Sequence, residues 1–396
     1  MSAASGRDEC PLRVGYSLAT LAPGVVGGTE SYSRGLLGAL LSAPDDRPHV
    51  RVVANPTAAA AYRPQLEGTD AELVVVPGRF TLGLVPRALS MLAMTLAARP
   101  LERRFTTGLD VLHYPATIPL PRARGIALVQ TLHDMQHREH PEYFSRTELQ
   151  FRRLGYDAGA RSADRVVTVS AHAREQIVEH LGIEPGRIDV IAHGLDHARF
   201  TAGPVEADAE LLRPLHLPQR YVLYPANLWP HKNHERLIDA LALTEHRETH
   251  LVLTGQGYGR LEALLERARA GGVADRVHHL GHVPGALIAP LYRAAAGLVF
   301  PSLFEGFGIP AIEAMACGCP VAASDRSALP EVVAGAGLVF DATDPADIAR
   351  AVDELVSADP TPLVAAGLAR ASQFTWERCA TEHLASYRTA VRGAAR

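Results

Sequence analysis

Cysteine is scarce in this sequence, with only Cys10, Cys317, Cys319 and Cys379. They form neither a CxxC pair nor a disulfide-dense pattern, which argues against a disulfide scaffold and a zinc ribbon and fits a reducing cytoplasm. An excess of charge of one sign is also missing. The 39 Lys and Arg against 43 Asp and Glu give a formal net charge of −4, so no long-range field favours nucleic acid or an anionic membrane as the main partner. No apolar run approaches the roughly 20 residues of a membrane span. The N-terminus MSAASGRDECPLRVGYSL lacks the basic-then-apolar order of a signal peptide, and a soluble, cytoplasmic protein is expected. What is present is a globular composition: 47% hydrophobic and 21% charged residues, with 33 Gly and 28 Pro scattered along 396 residues. Disorder, collagen and coiled coil are excluded, and the length suits two domains of about 150 to 200 residues.

The order of elements sharpens this. A β-rich run, Leu12 to Leu18, leads through a glycine loop into a helical pattern from Thr29 to Ser42. Further strands are expected near Val50–Ala54, Leu73–Val76, Val111–Tyr114, Ile126–Leu132, Arg165–Ser170 and Asp189–Ala192. The segment from His193 to Pro218 has no clear period and reads as a linker. The alternation restarts with the strand Tyr221–Ala226 and continues to a helix at Pro345–Ser357. Alternating β and α predicts parallel sheets covered on both faces. The fold class is therefore α/β: two Rossmann-like, doubly wound domains, 1–200 and 201–375, facing each other across a cleft. The stretch Pro86 to Phe105 joins an apolar helical segment to Arg87, Arg99, Arg103 and Arg104. It reads either as a helix packed on the first sheet with its arginines in water, or as an acceptor-lining or membrane-touching element.

Several residues stand where such folds do chemistry. Gly27 and Gly28 join the first strand to the first helix, where a ligand can approach the backbone and an anion can meet unpaired N–H groups; a purely structural turn would look the same. The pattern is neither GxGxxG nor a P-loop. His133 and Asp134 follow a strand at the carboxyl edge of the sheet, where open α/β sheets place ligands. His133, His137 and His140 match no zinc spacing, and His278 and His279 alternate along a strand and read as structural. Lys232, near a helix start, would offer an exposed ammonium to a phosphate. Glu305 lies in the loop before a helix opened by Pro310, and Glu313 is placed on its first turn. Between them the N–H groups of Gly306, Phe307, Gly308 and Ile309 can meet a pyrophosphate while the carboxylates accept sugar hydroxyls. A glycosidase acid and nucleophile is the weaker reading of the pair, because a hydrolase needs no phosphate-binding helix start.

Taken in order, GGTE at 27–30, HD at 133–134, DRVVTVSAHARE at 164–175, VIAHGLD at 190–196, PHKN at 230–233, TGQG at 254–257, LGHVP at 280–284, the pair Glu305 and Glu313, and FTWERCATEHLASY at 374–387 resemble the retaining glycosyltransferases of the GT-B fold, family 4. The resemblance covers nearly the whole chain. It implies that Gly27 and Gly28 approach the donor phosphate or the acceptor, that His133 contacts the transferred sugar, and that Lys232 neutralises the diphosphate. It further implies that Glu305 holds the sugar hydroxyls and Glu313 the ribose, that Phe307 to Ile309 donate backbone bonds, and that Gly255, Val283 and Gly306 belong to the donor site, Val283 at its base pocket. His133, Glu305 and Lys232 are the catalytic candidates. The segment 376–396 would cross back onto the first domain. Asn227 stands where many members carry Arg, which removes one charge from the leaving group.

The implied function is retaining transfer of a hexose from a nucleotide diphosphate sugar to a hydroxyl acceptor, without a cofactor and without a metal. GDP-mannose is favoured as donor, with UDP-glucose and UDP-N-acetylglucosamine as alternatives. The acceptor would be a glycan, a lipid-linked glycan or a small metabolite, read by loops including Pro77–Arg104 and Met135–Arg146. Nucleic acid is not expected, and peripheral contact with the inner face of a membrane stays open. A sugar-nucleotide epimerase, a phosphorylase and a non-catalytic sugar-nucleotide-binding protein are the rival readings.

Overall fold

The computed structural model describes residues 11–24, 27–44, 46–78, 102–203 and 205–394. Two sheets organise them, and every strand pair recorded in both is parallel. The first contains β1 (Arg13–Leu18), β2 (His49–Ala54), β3 (Glu72–Val75), β4 (Val111–Tyr114), β5 (Ala127–Thr131), β6 (Arg165–Thr168) and β7 (Ile188–Val190), in the order β3-β2-β1-β4-β5-β6-β7. The second contains β8 (Tyr221–Pro225), β9 (His250–Thr254), β10 (Val277–His279), β11 (Gly297–Phe300), β12 (Val321–Ser324) and β13 (Leu338–Phe340), in the order β10-β9-β8-β11-β12-β13. Strands such as β4, β11 and β12 are buried along their whole length, as expected where helices cover both faces of a parallel sheet. Each order reverses once, between β1 and β4 and between β8 and β11. Those crevices, at the carboxyl ends of the strands, are where doubly wound sheets bind ligands.

The covering helices that shape the cleft are α1 (Gly27–Ser42), α2 (Ala171–Leu181), α3 (His234–Leu243), α4 (Leu261–Ala270), α5 (Ile309–Ala316), α6 (Pro345–Ser357) and α7 (Trp376–Ala394). The last returns to the first sheet and packs on α1 and β5, as expected for the crossing C-terminal segment. Trp376 anchors it: a Cβ on Gly35 or on Gly194 would lie 2.1 or 2.5 Å from the indole, so the ring fits only because both positions lack a side chain.

The sequence reading needs three corrections. The stretch from His193 to Pro218 is not a plain linker, since it contains a helix at Ala207–Leu212 and His193 is buried; six residues are too few to print a helical period. Strand β13 has no signature in the sequence, because its three residues carry no alternation to read. Glu313 is the fifth residue of α5, which begins at Ile309, and so lies beyond the first turn. Residues 79–101, which hold most of the segment Pro86–Phe105 and of the acceptor loop Pro77–Arg104, fall outside the described residues. Among the described residues no helix is long and apolar enough to cross a membrane.

Candidate active site

The site assembles from the strand ends at the two switch points. Gly27 and Gly28 open α1 after β1, and a Cβ on Gly28 would sit 4.0 Å from Ile309 Cδ1. The glycine loop of the first domain thus faces the start of α5 in the second. His133 follows β5. Its Nε2 lies 3.0 Å from the Pro115 carbonyl, which can only accept, so Nε2 carries the proton. Burial lowers the pKa of the ring, and the neutral imidazole keeps Nδ1 as a hydrogen-bond acceptor. Tyr32 meets the ring edge-on at 4.8 Å and His193 stacks beside it at 5.9 Å.

The chain closest to His133 comes from the other domain. A Cβ on Gly306 would lie 2.4 Å from the His133 carbonyl oxygen, so only glycine permits this approach. Ser170 Oγ donates to the Gly306 carbonyl at 2.8 Å, and the Ala171 and His172 N–H groups at the start of α2 donate to the Glu331 carboxylate. These contacts pin the second domain against the first. Among the described residues no hydrogen bond is donated by the N–H groups of Gly306, Phe307, Gly308 or Ile309. Gly308 caps α5 at φ +114° with Leu329 where a Cβ would be, which fixes the turn that presents them. A helix start with free N–H groups carries partial positive charge and favours an anion. Phe307 is buried against His193 at 5.0 Å and Phe374 at 5.6 Å.

Lys232 departs from the sequence reading. It ends a short turn, Pro230–Lys232, and its Nζ lies 2.5 Å from Glu305 Oε1. The two side chains are only 18% and 14% exposed, so the ammonium is not free in water but neutralises the buried carboxylate beside it. Two catalytic candidates are therefore one ion pair. Asn233, which the sequence reading quoted in PHKN without a role, holds the turn. It sits at φ +60°, a conformation Asn tolerates, and its Nδ2 donates to the Pro301 and Ala342 carbonyls at 3.0 and 2.7 Å. Tyr224 adds a bond to the Lys232 carbonyl at 2.9 Å.

The remaining candidates follow the strand ends of the second sheet or lie on α5. Asn227 Oδ1 accepts the Gln256 N–H at 2.7 Å, which fastens the loop after β8 to the one after β9 and leaves the amide nitrogen as donor. Gly255, at φ +118°, packs against Ala226 and bonds to Gly281. Val283 is buried in the second core. Glu313 accepts from the Tyr292 hydroxyl at 3.1 Å, and burial pushes its carboxyl up to about 7. Elsewhere, His137 is tied to Asp157 at 2.7 Å and His278 to His250 at 2.9 Å, both away from this group.

His193, quoted in VIAHGLD without a role, lies between Tyr32, His133, Phe307 and Trp376, linking rings of both domains, a burial that only tertiary packing creates.

Family models match both halves: "Glycosyltransferase Family 4" over residues 26–199 and "Glycosyl transferases group 1" over 219–358. The chain is 31% identical over 284 residues to the O-antigen chain mannosyltransferase B of Escherichia coli, covering 70% of this chain and 74% of that protein. It belongs to the family 4 glycosyltransferases. A second relative, the D-inositol 3-phosphate glycosyltransferase of Rhodococcus opacus (strain B4), is 34% identical over 61% of this chain and 56% of its own length; the chain spans little more than half of it. The structure of Anabaena HepE in complex with UDP and glucose superposes with a TM-score of 0.70 at 20% identity, covering 94% of this chain and 98% of that one. This glycosyltransferase thus has the GT-B fold, as its sequence motifs implied.

Proposed function

We propose that this glycosyltransferase moves a hexose, with retention of configuration, from a nucleoside diphosphate donor to a hydroxyl acceptor. The observation that carries the reading is the undonated N–H ladder of Gly306 to Ile309, set beside the Lys232–Glu305 pair and facing Gly28 and His133 across the cleft. The diphosphate takes the helix start and the Lys232 ammonium, with the Asn227 amide as a further donor. Glu305 and His133 Nδ1 accept hydroxyls of the transferred sugar, and Glu313 accepts those of the ribose.

In the reacting complex the bond between the anomeric carbon and the phosphate oxygen breaks, and the acceptor oxygen bonds to that carbon on the same face. The acceptor proton passes to the departing diphosphate. Lys232 and the helix start stabilise the charge that develops there, so no metal and no cofactor is required. Closure of the two domains around the donor would exclude water that would otherwise consume it, and the Ser170 contact to Gly306 helps hold them together. The second domain holds the donor, and the first holds the reacting end of the acceptor.

GDP-mannose is the favoured donor, supported by the mannosyltransferase relative. UDP-glucose or UDP-N-acetylglucosamine is the second reading, favoured by the neighbour that binds UDP and glucose. A glycan, lipid-linked glycan or small metabolite is the acceptor class, and a lipid-linked one would bring the protein to the inner face of the membrane. A thermal-shift screen against GDP, UDP, ADP and their sugar conjugates tests the reading, because a ligand of the folded state raises Tm. A clear rise with GDP and GDP-mannose is expected; a rise with UDP alone transfers the assignment to the second reading, and no rise with any refutes both.

A further inference from the structure

Beside the cleft, a cavity of about 700 Å³ opens between Tyr143 of the first domain and the second-domain segment Leu228–Pro230, with α3 and α4 as its floor. Its size falls within the range of ligand sites, roughly 300–1,000 Å³. Its inner wall includes Asn233 and Leu303, which flank Lys232 and Glu305 in sequence, so it lies next to the proposed reaction centre without being part of it.

Two features of its rim call for a ligand. Trp229 lines the cavity and is 43% exposed, and Tyr258, 50% exposed and outside the lining, stacks on it with ring centroids 4.4 Å apart. Large aromatic side chains left this open forgo the stabilisation of burial. Tyr258 also sits at φ +46°, a region that a bulky residue enters only at a cost and that is met most often at functional sites. The second feature is charge balance. Arg260 pairs with Glu235 at 3.3 Å and Arg267 with Asp239 at 2.5 Å, while Arg236 spends one N–H on Asn233 Oδ1 at 2.9 Å. With three arginines against two carboxylates, the lining offers many hydrogen-bonding groups and only a small positive excess, which suits a neutral polyhydroxylated ligand better than a diphosphate.

We infer that this cavity is a saccharide subsite, in which a pyranose lays its C–H face on the open face of Trp229, whose other face Tyr258 covers, and its hydroxyls on the Arg236, Glu235 and Arg260 side chains. It would hold a sugar unit of an oligosaccharide acceptor remote from the reacting hydroxyl. The inference rests on the glycosyltransferase reading above and adds a substrate class to it: acceptors of more than one sugar.

Mannotriose and maltotriose serve as probes, followed by saturation-transfer NMR and by tryptophan emission, with the Tm rise given by GDP or UDP measured on the same samples. Binding to the wild type is expected, with a blue shift of the emission. Trp229→Ala should weaken it by about tenfold, the loss of one aromatic contact, whereas Trp229→Phe should retain it and the nucleotide response should not change. Equal affinity in Trp229→Ala overturns the subsite, as does a nucleotide that alone produces the Trp229 blue shift, which would give the pair to the donor base. If neither trisaccharide binds while the nucleotide still raises Tm, the subsite fails and the transferase reading stands. If nucleotide binding is absent as well, both fail.

Discussion

The two walls of the cleft are built by opposite means. On the first-domain side the support is a chain of buried polar groups. His383 Nδ1 donates to the Cys379 carbonyl at 2.7 Å, so its Nε2 accepts from the Tyr32 hydroxyl at 2.7 Å. Tyr32 accepts from Thr131 at 3.0 Å, Thr131 from His113 Nε2 at 2.8 Å, and His113 Nδ1 from Tyr387 at 2.7 Å. Every proton has one consistent position, because burial keeps both imidazoles neutral, lowering His113 well below its usual value and His383 to about 4. The chain begins and ends on α7, so it also locks the returning helix to the first sheet. On the second-domain side the support is close backbone packing at Gly306 and Gly308 and one ion pair. A directed network specifies where rings stand; glycine contacts specify how near two chains come. The difference teaches that the first wall is protected by satisfied hydrogen bonds and the second by the absence of side chains.

The largest effects are expected where the second wall is broken. Glu305→Ala should abolish transfer while nucleotide affinity stays within a few-fold, read by turnover and titration; normal turnover would remove Glu305 from the site. Gly306→Ala places a methyl against the His133 carbonyl and should cut turnover by about a hundredfold, the scale of a 1 Å misplacement, with a small change in Tm. Lys232→Ala comes next, lowering affinity for the nucleoside diphosphate and turnover together; unchanged affinity would place the phosphate elsewhere.

Breaking the first wall should show in stability. Tyr32→Phe leaves Thr131 and His383 without their shared partner, a cost of about 1–3 kcal/mol, measured by denaturant unfolding; a smaller loss would mean that the network is not the support described. The pH dependence sharpens the contrast. Below about 4.5 the Glu313 carboxyl is protonated in both states, and between there and about 7 only the unfolded chain ionises it. Its contribution to stability is thus full at low pH and falls as pH rises through that window. Glu313→Gln should flatten this part of the curve, and an unaltered slope would assign it to other groups. The smallest effect belongs to the cross-cleft contact at the exposed Glu331. Glu331→Gln should cost less than about 1 kcal/mol and vanish in high salt.

Much of this architecture is readable before folding. The apolar run of β8 and the periodic segment of α6 announce themselves, and Pro345–Ser357 falls on its expected bounds, because Asp344 and Pro345 mark a helix start and its apolar residues recur at helical spacing. The grouping of Gly28, His133, Lys232 and Glu305 was legible through motif order, since each motif follows a strand end and strand ends converge at a switch point. The state of Lys232 was not. Whether an ammonium is free or paired depends on a carboxylate 73 residues away. His193 and Asn233 were hidden for the same reason, as were Trp229 and Tyr258, whose stacking joins two loops.

The sequence by itself determined the α/β class, the family and the strand ends that meet at the cleft, because these rest on local periodicity, on glycine and proline at turns, and on motif order. Only the tertiary structure decided which charges meet, which imidazole nitrogen holds a proton, how near Gly306 comes to His133, and which aromatic faces stay open. Those depend on burial and on distances between residues far apart in the chain, quantities that exist only once the two sheets and α7 have packed together.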